Sequence, residues 1–303
     1  MKLVSIVTVN FNQPLATIAL LQSLKNQGYA NIEVILVDNA SEENHEAVFH
    51  NTYPNLTFIR TKTNLGFAGG NNYGINIAKG DYIFLLNNDT EVPYGCITQM
   101  VEELEAEESI GLLSPLILYD DDKSIIQYAG YTPLNYLTAR NKQIGQFEKN
   151  VGQFDGVTQK TGFCHGAAVM CRTEDMQKAG LMDENYFLYY EELDWCEKFK
   201  KTGKEIYFTG KTFIYHKESI SVGKESAIKT YFITRNRMLF IRKNTGLLNT
   251  LFFSTYYIFI ACPKMIVKYA LTGKSRLIKW VLKAVLWNLT HQKNSKNLGF
   301  KIK

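Results

Sequence analysis

The stretch YYEELDWCEKF sets three acids, Glu191, Glu192 and Asp194, at the head of a helix-like run. Carboxylates there complement the positive end of a helix dipole, which is one reason for them. Helical spacing then separates them. Glu192, Trp195, Cys196 and Phe199 share one face, while Glu191, Asp194, Lys198 and Lys201 share the other. Glu192 therefore heads an apolar face as a candidate general base whose pKa burial raises, with its acidic neighbours solvated. A second polar group stands in LLNNDTEV, where an apolar run stops at Asn87, Asn88 and Asp89. An oxygen ligand such as Asp89 suits Mg²⁺ or Mn²⁺, which meet one or two carboxylates plus substrate phosphates, although an Asn-Asp turn after a strand has the same residues. His216 ends the strand-like TFIYH and Asp38 closes VILVD, positions that serve either a ligand or a plain strand end.

The run NLGFAGGNNYG carries Gly66, Gly69, Gly70 and Gly74, enough to let backbone approach a ligand and to open a helix with free N–H groups. It is not Gly-x-Gly-x-x-Gly. Nor is TGKS at 272–275 a P-loop, since Lys268 occupies the place of the earlier glycine. Nucleotide contact is compatible with this pattern; a dinucleotide is not supported.

Elements that alternate along the first hundred residues position these groups. Strand-like runs at Val4–Val9, Ile32–Val37, Leu56–Arg60 and Tyr82–Leu86 alternate with helical spacing at Leu15–Gln27, Glu43–His50 and near Asn72–Ala78. That is the pattern of a parallel α/β sheet covered by helices, in which ligands bind beyond the carboxyl ends of strands. The acidic run Glu102–Glu108 reads as a solvated amphipathic helix without a function. Residues 111–172 read as connecting strands and loops, followed by a helical stretch from Thr173, strands EIYF and TFIYH, and a helical run from Glu225 to Lys243.

With 303 residues, 46% hydrophobic and 21% charged, the chain has the composition of a globular protein, which excludes wholesale disorder and a collagen-like fold. Its net charge of +5 is unevenly spread: residues 226–303 hold 15 of the 34 Lys and Arg and none of the 29 Asp and Glu. A basic, apolar-rich tail on an acidic body suits an anionic surface, lipid or nucleic acid. Five cysteines without a Cys-x-x-Cys pair suit reduced thiols in the cytosol, and MKLVSIVTVNFNQ reads as a first strand rather than a secretion signal. LLNTLFFSTYYIFIAC is apolar for 16 residues and stops at Pro263, short of the roughly 20 a membrane-spanning helix needs. LIKWVLKAVLWNL sets Lys279 and Lys283 on a face flanked by Trp280, Val281, Ala284 and Trp287, as in a helix lying in a membrane interface. A pair of helices packed on the body is the alternative.

Together, the ordered motifs VSIVTVNFN, VDNAS, NLGFAGGNNYGI, GDYIFLLNNDTEV, DENYFLYYEELDWC, YH and TRNRM resemble the family 2 inverting glycosyltransferases, most of all bacterial rhamnosyltransferase-type members, over about residues 3–240. The resemblance implies an α/β GT-A fold with a Rossmann-like nucleotide-sugar-binding half at 1–110, an acceptor and catalytic half at 111–245, and a basic amphipathic helical tail at 246–303. It implies a dTDP- or UDP-sugar donor, with rhamnose favoured, a hydroxyl of a glycan or lipid-linked acceptor, and a Mg²⁺ or Mn²⁺ cofactor. Carried over, Asp38 meets the pyrimidine base, Thr8 and Asn10 line the nucleoside, and Asn64, Gly66 and Asn72 match the Gly-rich donor motif. Asn87, Asn88 and Asp89 occupy the place of the Asp-x-Asp metal motif, with Asp89 and His216 as ligands and Asn87 removing one anionic ligand. Arg235 and Asn236 match an Arg-Asn that meets diphosphate. The family's catalytic Glu-Asp pair falls on Glu191, beside the acceptor, and Glu192, the base, where Glu replaces Asp and extends the carboxylate by one methylene. The expected setting is peripheral, on an anionic membrane at its cytoplasmic face, with no nucleic-acid partner. A non-catalytic nucleotide- or nucleic-acid-binding protein would leave the inward Glu192 without a role, and its basic arm would not interleave charge with long apolar runs. A sugar nucleotidyltransferase would carry a Gly-rich, basic phosphate loop near the first strand, which this sequence lacks.

Overall fold

The computed structural model describes residues 1–217 and 226–302. Runs of Val, Ile and Leu that are apolar on both faces form buried strands, and the segments between them form covering helices. In chain order the first half comprises β1 (Val4–Asn10), α1 (Pro14–Leu24), β2 (Ile32–Asp38), α2 (Glu46–Thr52), β3 (Thr57–Arg60), α3 (Gly66–Ile75), β4 (Tyr82–Leu86), β5 (Thr90–Glu91) and α4 (Cys96–Ala106). The second half adds β6 (Ile110–Tyr119), β7 (Ile126–Tyr128), β8 (Thr158–Lys160), β9 (Ala168–Arg172), α5 (Thr173–Ala179), α6 (Glu191–Lys201), β10 (Glu205–His216) and α7 (Ala227–Asn244). Helices α8 (Leu247–Tyr256), α9 (Cys262–Leu271) and α10 (Ile278–Thr290) follow.

Among the described residues the strands share one sheet, ordered β3-β2-β1-β4-β9-β6-β10-β5, with β7 on β6 and β8 on β10. Strands β1 to β4 are parallel, β9 runs against both β4 and β6, and β10 is parallel to β6. It follows that β1, β2, β4, β6 and β10 all end at one edge of the sheet, where β9 begins. Asn10, Asp38, Asn87 and His216 stand along that edge, where ligands bind in open α/β sheets.

Several elements differ from the sequence reading. Residues 111–119, read as part of a loop-rich middle, belong to β6, which starts at Ile110 and runs almost wholly buried between β9 and β10. Buried on both faces, β6 shows no alternation to betray it. EIYF and TFIYH are one strand, whose register with β6 shifts between Thr209 and Phe213. Pro115, which has no N–H to donate to a ladder, pairs at that shift. The glycine run is itself helix α3 rather than a turn before one. A Cβ on Gly70 would sit 2.9 Å from Val9 Cγ1 and one on Gly74 would collide with Val7, so the glycines let α3 lie directly on β1. Glu225, the expected start of α7, lies outside the described residues; the helix is capped by Ser226, whose Oγ accepts from the Lys229 N–H at 3.2 Å.

The tail also differs. A π-helical turn at Tyr257–Ala261 joins α8 to α9 in one helical run, Leu247–Leu271, of 25 residues, which by length and composition is long enough to cross a membrane. Pro263 does not end it, because the wider turn just before accommodates the ring and its missing N–H. On α10, the apolar flank of the expected interfacial face is split: Val281, Ala284 and Trp287 are buried where the helix packs along α7, while Lys279 and Lys283 stay exposed and Trp280 is half-buried.

Candidate active site

A cavity of about 510 Å³ opens at the carboxyl edge of the sheet. Eight of the residues expected from sequence line it together: Asn64, Gly66, Asn87, Asn88, Asp89, Glu191, Glu192 and His216. Val9 near the end of β1, Phe11 just after it, Asn39 after β2, Tyr131, Gln143 and Gln146 from the segment after β7, and Lys229 at the start of α7 complete much of the wall.

Glu191 and Glu192 open α6. Main-chain N–H groups at the helix start hold their pKa values down, yet burial outweighs them in both cases. Glu192 is pushed up to about 6. Glu191 is pushed well above the ordinary range, first by burial and then by the negative charge of Glu192. Burial raises both, so this pair of neighbouring carboxyls holds on to protons at a pH where ordinary glutamates have lost theirs. One Oε2 atom of each is buried without a hydrogen-bond partner, as fits groups kept for something outside the chain. The expected division into an inward and a solvated face does not hold, since Glu191 and Asp194 are each only 3% exposed. Asp194 Oδ1 accepts from Tyr186 Oη at 3.0 Å and from Asn244 Nδ2 at 2.6 Å. Helix α6 is covered on two sides, and periodicity in one helix cannot reveal the second cover.

The loop before α6 is strained. Phe187, Tyr189 and Tyr190 have φ of 63°, 69° and 75°, a left-handed region that costs a non-glycine residue about 1–3 kcal/mol. It is held by its carbonyls: Phe187 O accepts from Phe67 N at 2.7 Å, and Asn236 Nδ2 donates to the carbonyls of Tyr186, Leu188 and Tyr189 at 2.7–2.9 Å. Gly66, at φ 74°, has no room for a Cβ because Phe187 O occupies that space, so this glycine lets the loop close on α3.

On the opposite wall, Asp89 Oδ1 lies 3.2 Å from His216 Nε2 and has no hydrogen-bond donor although it is buried. His216 Nδ1 lies 2.8 Å from Gln127 Oε1 and Asn87 Nδ2 lies 3.4 Å from His216 Nε2. With Gln127 Oε1 placed to accept a proton from Nδ1, Nε2 is the ring nitrogen that would offer its lone pair to a cation beside Asp89. An orphaned carboxylate oxygen beside an imidazole nitrogen fits a divalent cation. Among the described residues no third His, Cys, Asp or Glu joins them, so a cation there would draw its remaining ligands from water or a bound phosphate. His165, packed 5.8 Å from the His216 ring, is lowered to about 3 by burial and by His216 and stays neutral.

The other expected residues do not reach the cavity. Asp38 is 1% exposed, and its carboxylate meets Asn10 Nδ2 at 2.7 Å and Arg60 Nε at 3.1 Å, so its neighbour Asn39 forms the wall instead. Asn10 and Thr8 are buried beneath it. Asn72 spends its amide on Met182 and Glu184. Arg235 and Asn236, expected at diphosphate, are fully buried and bonded to main-chain carbonyls of the strained loop and of Leu298. Lys229 is the Lys or Arg that lines the cavity among the described residues, and no motif marked it. Tyr131, Gln127 and His165 were equally unmarked.

Comparison with known proteins agrees with this geometry. The family model for Glycosyl transferase family 2 matches residues 5–178. An uncharacterized glycosyltransferase of Haemophilus influenzae is 36% identical over 33% of this chain and 35% of its own length. The low-salt glycan biosynthesis hexosyltransferase Agl10 of Haloferax volcanii is 24% identical over 68% of this chain and 66% of its own. An N-acetylglucosaminyl-diphospho-decaprenol L-rhamnosyltransferase of Mycobacterium tuberculosis is 23% identical over 65% and 70%. Among solved structures, S. aureus TarS 1-349 superposes with a TM-score of 0.60 at 14% identity, covering 96% of this chain and 81% of that one. The mannosyltransferase PcManGT of Pyrobaculum calidifontis, in complex with GDP-Man and Mn²⁺, gives 0.58 at 13%, covering 95% and 87%.

Proposed function

Since the chain belongs to glycosyl transferase family 2 and has the GT-A fold, we propose that it is an inverting enzyme moving a sugar from a dTDP- or UDP-linked donor to a hydroxyl of a glycan or lipid-linked acceptor. The observation that carries this reading is the shared cavity: the carboxyl pair Glu191 and Glu192 lines one part of it, and Asp89 with His216 another. Glu192, ionised near neutral pH, takes the proton of the acceptor hydroxyl as that oxygen attacks the anomeric carbon. The bond to the diphosphate breaks on the opposite face, so configuration inverts. Glu191, still protonated, donates a hydrogen bond and orients the acceptor. A Mg²⁺ or Mn²⁺ ion held by Asp89 and His216 would supply positive charge where the leaving diphosphate gathers negative charge. Rhamnose is the proposed sugar, in line with the mycobacterial relative's name. A panel of dTDP- and UDP-sugars with Mn²⁺ tests the reading: Glu192→Gln should lose about 10²- to 10⁴-fold in transfer while still binding donor. Full activity in that variant would refute it.

The acceptor is proposed to lie at an anionic membrane, on its cytoplasmic face. The support comes from the helical run Leu247–Leu271, where Leu248, Leu251 and Phe252 of α8 and Phe259 and Ile260 of the π-helical turn are exposed, with Lys264 and Lys268 following on α9 and no acid beyond residue 225. Apolar insertion with cationic flanks is how an interfacial helix holds lipid. Replacing Phe252 and Phe259 by Lys should abolish sedimentation with anionic vesicles; unchanged sedimentation rejects this face. Retention after carbonate extraction would instead mark the 25-residue run as a spanning helix.

A further inference from the structure

Arg235 stands between two parts of the chain that are far apart in sequence. It is fully buried, with its guanidinium over the rings of Phe232 and Trp287 at 5.0 and 4.7 Å. On one side its Nη1 donates to Leu298 O at 2.8 Å. On the other its Nη2 donates to the carbonyls of Asn185 and Tyr186, while its Nε donates to Asn236 Oδ1 at 2.8 Å. Asn236 in turn gathers the carbonyls of Tyr186, Leu188 and Tyr189, in the strained loop that delivers Glu191 and Glu192. The residues after α10 thus end one unbroken run of hydrogen bonds, and the catalytic loop begins the other end.

The segment 297–302 is fitted for this place rather than draped over it. Leu298 O accepts a second bond from Tyr231 Oη at 2.9 Å, and Asn297 O accepts from Trp287 Nε1 at 2.8 Å. Phe300 packs on Trp280, Tyr231 and Phe232, with ring centroids 4.7, 5.3 and 5.6 Å apart. Gly299 has φ 68°, and a Cβ there would collide with Tyr231 Oη and the Trp287 ring. If the Leu298 carbonyl leaves, a buried guanidinium N–H loses its acceptor, and the fork that also holds the loop carbonyls is free to turn.

We infer that this C-terminal strap, acting through the positioning residues Arg235 and Asn236, sets the two carboxylates at the reacting centre, so that the end of the chain belongs to the catalytic apparatus as well as to any membrane contact. The inference rests on the reading of Glu191 and Glu192 as the reacting pair. The strap lies far outside residues 5–178, so nothing in the family match includes it.

The test uses the full chain carrying Gly299→Ala and, separately, Phe300→Ala, assayed with the donor that the wild type uses. Misplacing a reacting group by about 1 Å costs on the order of 10²-fold, so kcat should fall about 10- to 100-fold in each variant. Affinity for the nucleoside diphosphate should change much less than kcat, because the hydrogen bonds of the strap run to Tyr231, Arg235 and Trp287 and to no residue that lines the cavity. The acid limb of the kcat profile should move to lower pH as the loosened loop admits water to Glu192. A fall in kcat and nucleotide affinity together, with the limb unmoved, would mark the strap as ordinary core and overturn the inference. So would a wild-type kcat in both variants once tryptophan fluorescence shows the strap displaced. A wild type that transfers no nucleotide sugar would instead overturn the proposed function.

Discussion

The raised pKa of Glu192 makes a quantitative demand on the rate. If this carboxylate is the base, kcat follows its ionised fraction, and with a pKa of about 6 the rate at pH 5 should be about one tenth of the plateau. An ordinary glutamate near 4.3 would leave about four fifths at the same pH, so the two cases differ roughly ninefold. Five titratable groups nearby are moved away from the limb: Glu191 is lifted well above the ordinary carboxyl range, burial lifts the hydroxyls of Tyr131, Tyr189 and Tyr190 above their ordinary values, and His165 is lowered to about 3.

Two glutamine variants separate the partners. Glu192→Gln removes the limb along with about 10²- to 10⁴-fold of the rate. Glu191→Gln keeps a neutral hydrogen-bonding group where the wild type has a neutral acid, so it should lose much less and retain a limb near 6. The assay is initial-rate transfer at saturating donor between pH 4.5 and 8.5, with stability checked at each pH. A limb that survives in Glu192→Gln but vanishes in Glu191→Gln would show that the roles are exchanged. A wild-type limb near 4.3 would show that burial does not tune this site.

Other expectations follow from the same geometry. Lys229→Gln should weaken UDP or dTDP binding by about tenfold, the scale of one charge-assisted contact, while uridine or thymidine binding stays constant; equal losses for nucleoside and diphosphate would place the lysine elsewhere. Asp89→Asn should abolish the part of donor binding that Mn²⁺ adds in a thermal-shift titration, as a chelator does to the wild type, and a Mn²⁺ response that survives the substitution rejects the Asp89 and His216 site. Glu191 binds its proton more tightly folded than unfolded, so the folded chain holds an extra proton between about pH 4.3 and its raised value, and stability falls as pH rises through that window. Glu191→Gln should therefore raise Tm at pH 7.5 and leave it nearly unchanged at pH 4; a lower Tm at pH 7.5 contradicts the burial cost.

What could be read from sequence and what could not divide along a physical line. Strands β1, β2 and β4 are rich in Val, Ile and Leu and stop at Asn or Asp, and each declares itself and its carboxyl end locally, so Asp38 and Asp89 were placed at the right edge. Glu192 does line the cavity, but the period of α6 did not separate it from Glu191, which is the more deeply buried of the two. The errors arose wherever a second partner decided the outcome. Asp38 has a carboxylate at a strand end, yet Arg60 and Asn10 close over it, and neither the ion pair nor the lost access is written within VILVD. The buried side of Glu191 and Asp194 comes from elements outside α6, some of them 50 residues away. Arg235 was expected at diphosphate through the resemblance of TRNRM to a family motif, but in the fold its guanidinium donates to four main-chain and amide oxygens, of Asn185, Tyr186, Asn236 and Leu298.

The same asymmetry bears on the tail. A helix with apolar residues on several faces cannot be assigned by composition to lipid or to protein, since both bury the same groups. In α10 the two claims fall on different residues: Trp287 and Val281 go to α7, while Leu282, Leu286 and Leu289 stay exposed. The exposed set adjoins no acid of its own segment and the buried set reaches Arg235. A surface that meets lipid on one side and holds the catalytic loop on the other would tie the sugar-transfer rate to membrane occupancy. In that case anionic vesicles should raise kcat with a soluble acceptor in the wild type, and the rise should disappear in Gly299→Ala even though that variant still binds vesicles. A wild-type kcat indifferent to vesicles would leave the strap fixed in one state, with the membrane serving only to gather the acceptor.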